Sequence, residues 1–100
     1  MKVLKTENGK VALYQRNGSL IRHIGTDDSK SASMRFNDYM ILVTTTTGCV
    51  KMYTEKGNYV NSLKADGANS AAFIDNNILI FTQEGRIELW NDSGDFLKYL

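Results

Sequence analysis

Three stretches of this 100-residue chain repeat one another without a gap: 9–20, 48–59 and 85–96. Each reads glycine, any residue, Val or Ile, any residue, Leu or Met, then Tyr or Trp. After three intervening residues comes a second glycine, and two beyond it a large apolar residue. The leading glycines stand at 9, 48 and 85, intervals of 39 and 37, and the second glycine follows nine residues after the first every time. A period of this size means that one supersecondary unit is used several times, so the repeat limits the fold more than any local propensity does.

The similarity extends backwards. Ile78–Glu84 before Gly85 lines up with Ile41–Thr47 before Gly48, and Lys2–Asn8 before Gly9 is a weaker third copy. Further back, Ser31–Phe36 pairs with Ser70–Ile74, with a spacing difference of two that the turn at Asn37-Asp38 or Asn76-Asn77 can absorb. Each unit reads as up to four short strands, rich in β-branched and aromatic residues and separated by Gly, Asn and Asp. These are A (about 32–36 and 71–75), B (2–6, 39–44, 78–82), C (10–15, 49–54, 86–91) and D (20–24, 59–64, 96–100). Gly18, Gly57 and Gly94 stand where a C–D hairpin needs a residue at positive φ. Strand C alternates, with Val11/Leu13, Val50/Met52 and Ile87/Leu89 marking a buried face. Helical periodicity and proline are both absent, and the chain reads as all-β.

Four antiparallel strands at a period near 38 are the mark of a β-propeller blade. Gly85-Arg-Ile-Glu-Leu-Trp-Asn91 resembles the third-strand motif of the WD-repeat propellers, and the other two copies resemble degenerate versions. The resemblance spans nearly the whole chain and implies a propeller architecture. Asn91 replaces the family's Asp and its Gly-His dipeptide is missing, so it implies no functional subfamily.

The strand order B-C-D, A-B-C-D, A-B-C-D makes three blades: about 1–24 (incomplete), 31–64 and 70–100. Propellers close with about four to eight blades, and three leave two open ends of about 300 Å² each. That is near the largest apolar patch a monomer tolerates. Two chains joined head to tail would give six blades, so the sequence leads us to expect a homodimeric ring with two equivalent contacts. The missing first A strand would fall about eight residues past Leu100 by the Leu63-to-Ala71 spacing. Either one blade per chain lacks it, or the chain is a piece of a longer natural or engineered protein.

Twelve Lys and Arg against eleven Asp and Glu leave +1, too little for a dedicated nucleic-acid binder. No apolar run is long enough to span a bilayer or serve as a leader, and the lone Cys49 fits a reducing compartment; a cytoplasmic protein is expected. The Tyr14/Tyr53/Trp90 column reads as inter-blade packing before it reads as a ligand cage, because it recurs in every copy. His23 reads as a surface residue and Cys49 as a small strand residue. The Asn91–Asp95 stretch reads as a hairpin turn like its counterparts. No catalytic set, metal cluster or phosphate loop is visible, so neither enzyme nor cofactor is expected. Polar residues collect on one rim: Asp27, Asp28, Asp66 and Asn69 in the D–A connections, Thr45, Thr46, Gln83 and Glu84 around the B–C turns. Loops carry function more readily than strands, so a protein or small polar ligand is expected there. The leading expectation is a non-catalytic, self-assembling propeller that acts as a binding scaffold. The alternatives are a lectin-like carbohydrate binder and a propeller module with no ligand role.

Overall fold

A computed structural model describes residues 1–100. Eleven strands form three antiparallel sheets, and there is no helix. The first sheet is β1 (Lys2–Glu7), β2 (Lys10–Gln15) and β3 (Leu20–Ile24). The second is β4 (Ser29–Arg35), β5 (Met40–Thr45), β6 (Val50–Tyr53) and β7 (Tyr59–Leu63). The third is β8 (Ala68–Ile74), β9 (Asn77–Thr82), β10 (Ile87–Asn91) and β11 (Phe96–Tyr99). In every sheet neighbours in sequence are neighbours in space. With no helix present, none is long and apolar enough to cross a membrane.

The C–D hairpins are three copies of one structure. The N–H groups of Gln15, Thr54 and Asn91 donate to the carbonyls of Ser19, Asn58 and Asp95 at 2.8–2.9 Å. A bulge falls at Leu13/Tyr14, Met52/Tyr53 and Leu89/Trp90, one residue before each turn. The extra residue increases the local twist of each hairpin.

Two boundaries differ from the sequence expectation. The A strands begin three residues earlier than expected, at Ser29 and Ala68, because their first N–H groups are held by the preceding sheet and a bulge at Ser29/Ser31 and Ala68/Ser70 restores the register. Asn69 therefore lies inside β8 and not in a connection. The first B–C turn is also shorter: Glu7 pairs directly with Lys10 around Asn8-Gly9, both at positive φ (54° and 80°), whereas the other two turns hold three residues. The alignment of Lys2–Asn8 anchored on Gly9 is thus one residue out of step. Leu4 faces Leu13 as Leu42 faces Met52 and Leu79 faces Leu89. Val3 then corresponds to Ile41 and Ile78, and Lys5 to Val43 and Ile80. The difference of two residues before the later copies sits in the A–B turns, which span 36–39 and 75–76.

The core lies in two layers on either side of the middle sheet. Val11, Leu13 and Ile24 of the first sheet meet Ile41, Val43 and Tyr53 of the second. Leu42, Val50, Met52 and Leu63 on its other face meet Ala68, Ala71, Ile78, Ile80 and Trp90 of the third. Burial on both faces explains the unbroken apolar run of β5, since a strand with one solvent face would alternate. Between sheets, contact concentrates on the first strands: β4 packs along β8, while β3, β7 and β11 make no comparable contact with one another. The sheets therefore fan outward from β4 and β8.

Candidate functional site

Each connection between sheets is clamped to the turn it crosses. The Ser29 N–H donates to the Gly9 carbonyl at 2.9 Å and the Ala68 N–H to the Gly48 carbonyl at 3.0 Å. From the next sheet's turn in each case, the N–H groups of Thr46 and Gln83 donate to the carbonyls of Asp28 and Gly67, both at 2.8 Å. The approach is close enough to exclude a side chain. A Cβ on Gly9 would lie 2.2 Å from the Asp27 carbonyl oxygen, and one on Gly48 would lie 2.9 Å from the Gly67 Cα. The third turn has no such cover, and a Cβ on Gly85 would meet nothing within 4 Å.

The polar residues named on this rim take different parts. Thr45 is buried, and its hydroxyl accepts the Cys49 N–H at 3.2 Å and bonds the Thr47 hydroxyl at 2.8 Å. Thr82 repeats this role toward the Arg86 N–H at 3.0 Å. Asp28 takes a hydrogen bond from the Thr26 hydroxyl, so its carboxylate is engaged within its own connection. Glu84 sits 3.5 Å from Arg86, and Asp66 is exposed. The Asn69 carbonyl accepts a bond from the Ser31 hydroxyl at 3.4 Å. The structure therefore brings Asp28 to Thr46 at one junction and Gln83 to the 66–69 segment at the next. It does not gather all eight residues into one site. Only Asp27 lines a cleft, a shallow one of about 150 Å³ shared with Lys10, His23 and Thr26. No three His, Cys, Asp or Glu residues come together.

The aromatic column splits by sheet. Tyr53 packs into the layer against the first sheet and Trp90 into the layer against the second, where its Nε1–H donates to the buried Glu88 carboxylate at 3.0 Å. Tyr14, the corresponding residue of the first sheet, faces outward with Val3, Lys5 and Ala12. Lys5 reaches Glu7 at 2.9 Å, and that hydrogen bond, with the glutamate's charge, raises the lysine pKa. At the A–B turns Arg35 clasps Asp38 through Nε and Nη2 at 3.0 and 2.7 Å and lies over the Phe73 ring, 4.7 Å from its centre. The hydrogen bonds from Arg35 hold the Asp38 carboxyl below the usual carboxylate range.

Two apolar surfaces lie apart from the polar rim. One is the outward face of the third sheet: Ile74, Leu79, Phe81, Ile87, Leu89 and Leu100. Phe81, Ile74 and Leu100 are 36%, 46% and 64% exposed. The other is a cleft of about 280 Å³ between β1 and β4, lined mainly by Met1, Val3, Leu4, Ala32, Met34 and Phe36. A signal for the first was in the sequence: Ile78-Leu79-Ile80-Phe81 is as unbroken as Ile41-Leu42-Val43, yet only one of its faces is covered.

Fold and surfaces together define an all-β protein of three repeated sheets whose prominent surfaces are apolar faces and a strand edge. No protein-family model matches the chain, and no curated protein matches it.

Proposed function

We propose that the chain is a three-blade arc of a β-propeller that associates head to tail with a second copy and serves as a non-catalytic binding scaffold. The observation that carries this reading is the double use of one contact. The face holding Leu4, Val11, Leu13 and Ile24 meets the face holding Ile41, Val43 and Tyr53. The equivalent residues Leu42, Val50, Met52 and Leu63 then meet Ile78, Ile80 and Trp90. One half of this contact is left open on the third sheet at Leu79, Ile87, Leu89 and Leu100. The other half is open on the first sheet at Val3 and Tyr14. Joining them continues the repeat, and two chains supply six blades, within the range that closes. A ring of two makes two such contacts, each burying about 300 Å² on either side, together about 1,200 Å², at the lower end of stable interfaces.

The two open halves are not equally apolar. Lys5 stands where Val43 and Ile80 stand in the buried copies, and a charge at an exposed sheet surface restrains indiscriminate pairing. Its long stem can lie along the partner's face with the ammonium at the border. The assay is light scattering on a sizing column. Twice the 11.2 kDa chain mass is expected, falling to the single mass when Leu89→Lys places a charge on the third sheet's open half, opposite the half that carries Lys5. A folded monomer at every concentration would overturn the head-to-tail reading.

A further inference from the structure

The first sheet has three strands where the others have four, and it has not moved to compensate. β1 approaches β4 as β5 approaches β8, and β2 approaches β4 as β6 approaches β8. β1 therefore occupies the second-strand position, and the inner position beside it is vacant. What lies there is the cleft between β1 and β4, with Val3 47% and Phe36 64% exposed on its walls. The inner edge of β1, away from β2, pairs with no strand, so its backbone N–H and C=O groups are open to a further one.

The chain shows twice what this position accepts. Opposite Val43, Leu42 and Ile41 stand Ala32, Ser33 and Met34; opposite Ile80, Leu79 and Ile78 stand Ala71, Ala72 and Phe73. The shared order is small, small, large apolar. Small side chains are required because the inner strands run close together: the Ser33 hydroxyl donates to the Ala71 carbonyl at 2.7 Å and the Ser31 hydroxyl to the Asn69 carbonyl at 3.4 Å. In the vacant position the same order would set two small residues opposite Lys5 and Leu4 and a Met or Phe opposite Val3. A serine opposite Leu4 would face the Ala32 carbonyl as Ser33 faces that of Ala71.

We propose that this position binds an extended segment of another polypeptide, Ser/Ala-rich with a following Met or Phe in the manner of β4 and β8, added antiparallel to β1. Backbone pairing supplies the affinity, and the small-small-large order supplies the selectivity. A second copy's own β4 is not the source, because removing it would uncover Ile41, Leu42 and Val43. The inference needs the repeat but not the closed ring.

The probe is a synthetic peptide with the sequence of residues 28–36, added to the full chain and followed by amide hydrogen exchange. Saturable one-to-one binding is expected, with protection gained along β1 and none lost or gained along β5. Replacing the peptide's Ser33 with alanine should weaken binding about two- to tenfold, the loss of one hydrogen bond. A peptide of the same composition in scrambled order should not bind. As a second variant, the sequence of residues 29–39 placed ahead of Lys2 should fill the position in cis and abolish binding of the free peptide. Absence of binding at millimolar peptide, equal binding of the scrambled peptide, or protection changes confined to β5 would each overturn the proposal. Failure of head-to-tail association leaves these readouts unchanged, so the two can be judged separately.

Discussion

Alanine at Gly9, Gly48 and Gly85 poses the same backbone problem in three different surroundings. All three residues hold φ between 80° and 86°, where an L side chain is strained by about 1–2 kcal/mol. At Gly85 that is the whole cost, since the added methyl meets nothing within 4 Å. At Gly48 the methyl lies 2.9–3.1 Å from the Gly67 and Ala68 backbone, which cannot retreat without giving up the Ala68-to-Gly48 hydrogen bond. Overpacking of this kind adds about 1–3 kcal/mol. At Gly9 the 2.2 Å approach to the Asp27 oxygen leaves even less room. The expected order of destabilisation is Gly9→Ala, then Gly48→Ala, then Gly85→Ala, with about 2–5 kcal/mol for the first two against about 1–2 for the last. In a domain of this size each kcal/mol lowers Tm by about 4–8 °C, so circular-dichroism melts resolve the ranking. Losses at Gly85 equal to those at Gly9 would refute the claim that the backbone crosses closely over the first two turn glycines and leaves the third uncovered.

Glu88→Ala should cost about 1–3 kcal/mol, because it strands the buried Trp90 Nε1–H, whereas Glu88→Gln keeps an acceptor and should cost less; urea unfolding of the pair measures the difference. The Arg35–Asp38 pair gives a pH dependence of definite sign. Asp38 has a depressed folded-state pKa, so its contribution is fully present above the ordinary carboxylate range and is lost as pH falls through the depressed value. Asp38 is 44% exposed, so the effect is small. Asp38→Asn should flatten that part of an acid-unfolding curve and leave stability at pH 7 little changed.

Much of the architecture could be read from local rules. The glycine pairs nine apart specified the C–D hairpins, because only a residue tolerant of positive φ closes that turn. The alternation Val50/Met52 marked the buried face of its strand, because side chains on a strand point to opposite sides in turn. Where the reading slipped, distant contacts were responsible. The starts of β4 and β8 depend on backbone bonds from Ser29 and Ala68 to glycines twenty residues earlier, which no local propensity encodes. The one-residue shift at β1 arose because Asn8 adopts positive φ and shortens the turn, a conformation that asparagine tolerates but does not require. The rim residues illustrate the limit for function: Thr45 and Thr46 adjoin in sequence, yet the fold buries the first within its turn and spends the second's N–H on Asp28.

By itself the sequence determined the repeat, the all-β character and the count of eleven strands. These follow from spacing and side-chain alternation, which act over a few residues. The tertiary structure alone decided which faces are covered, since Leu79 and Leu42 differ little as residues and differ only in whether a further sheet lies against them. It also decided that β1 holds its second-strand position beside an empty place, because packing against β4 and the hydrogen bonds of β2 keep it there.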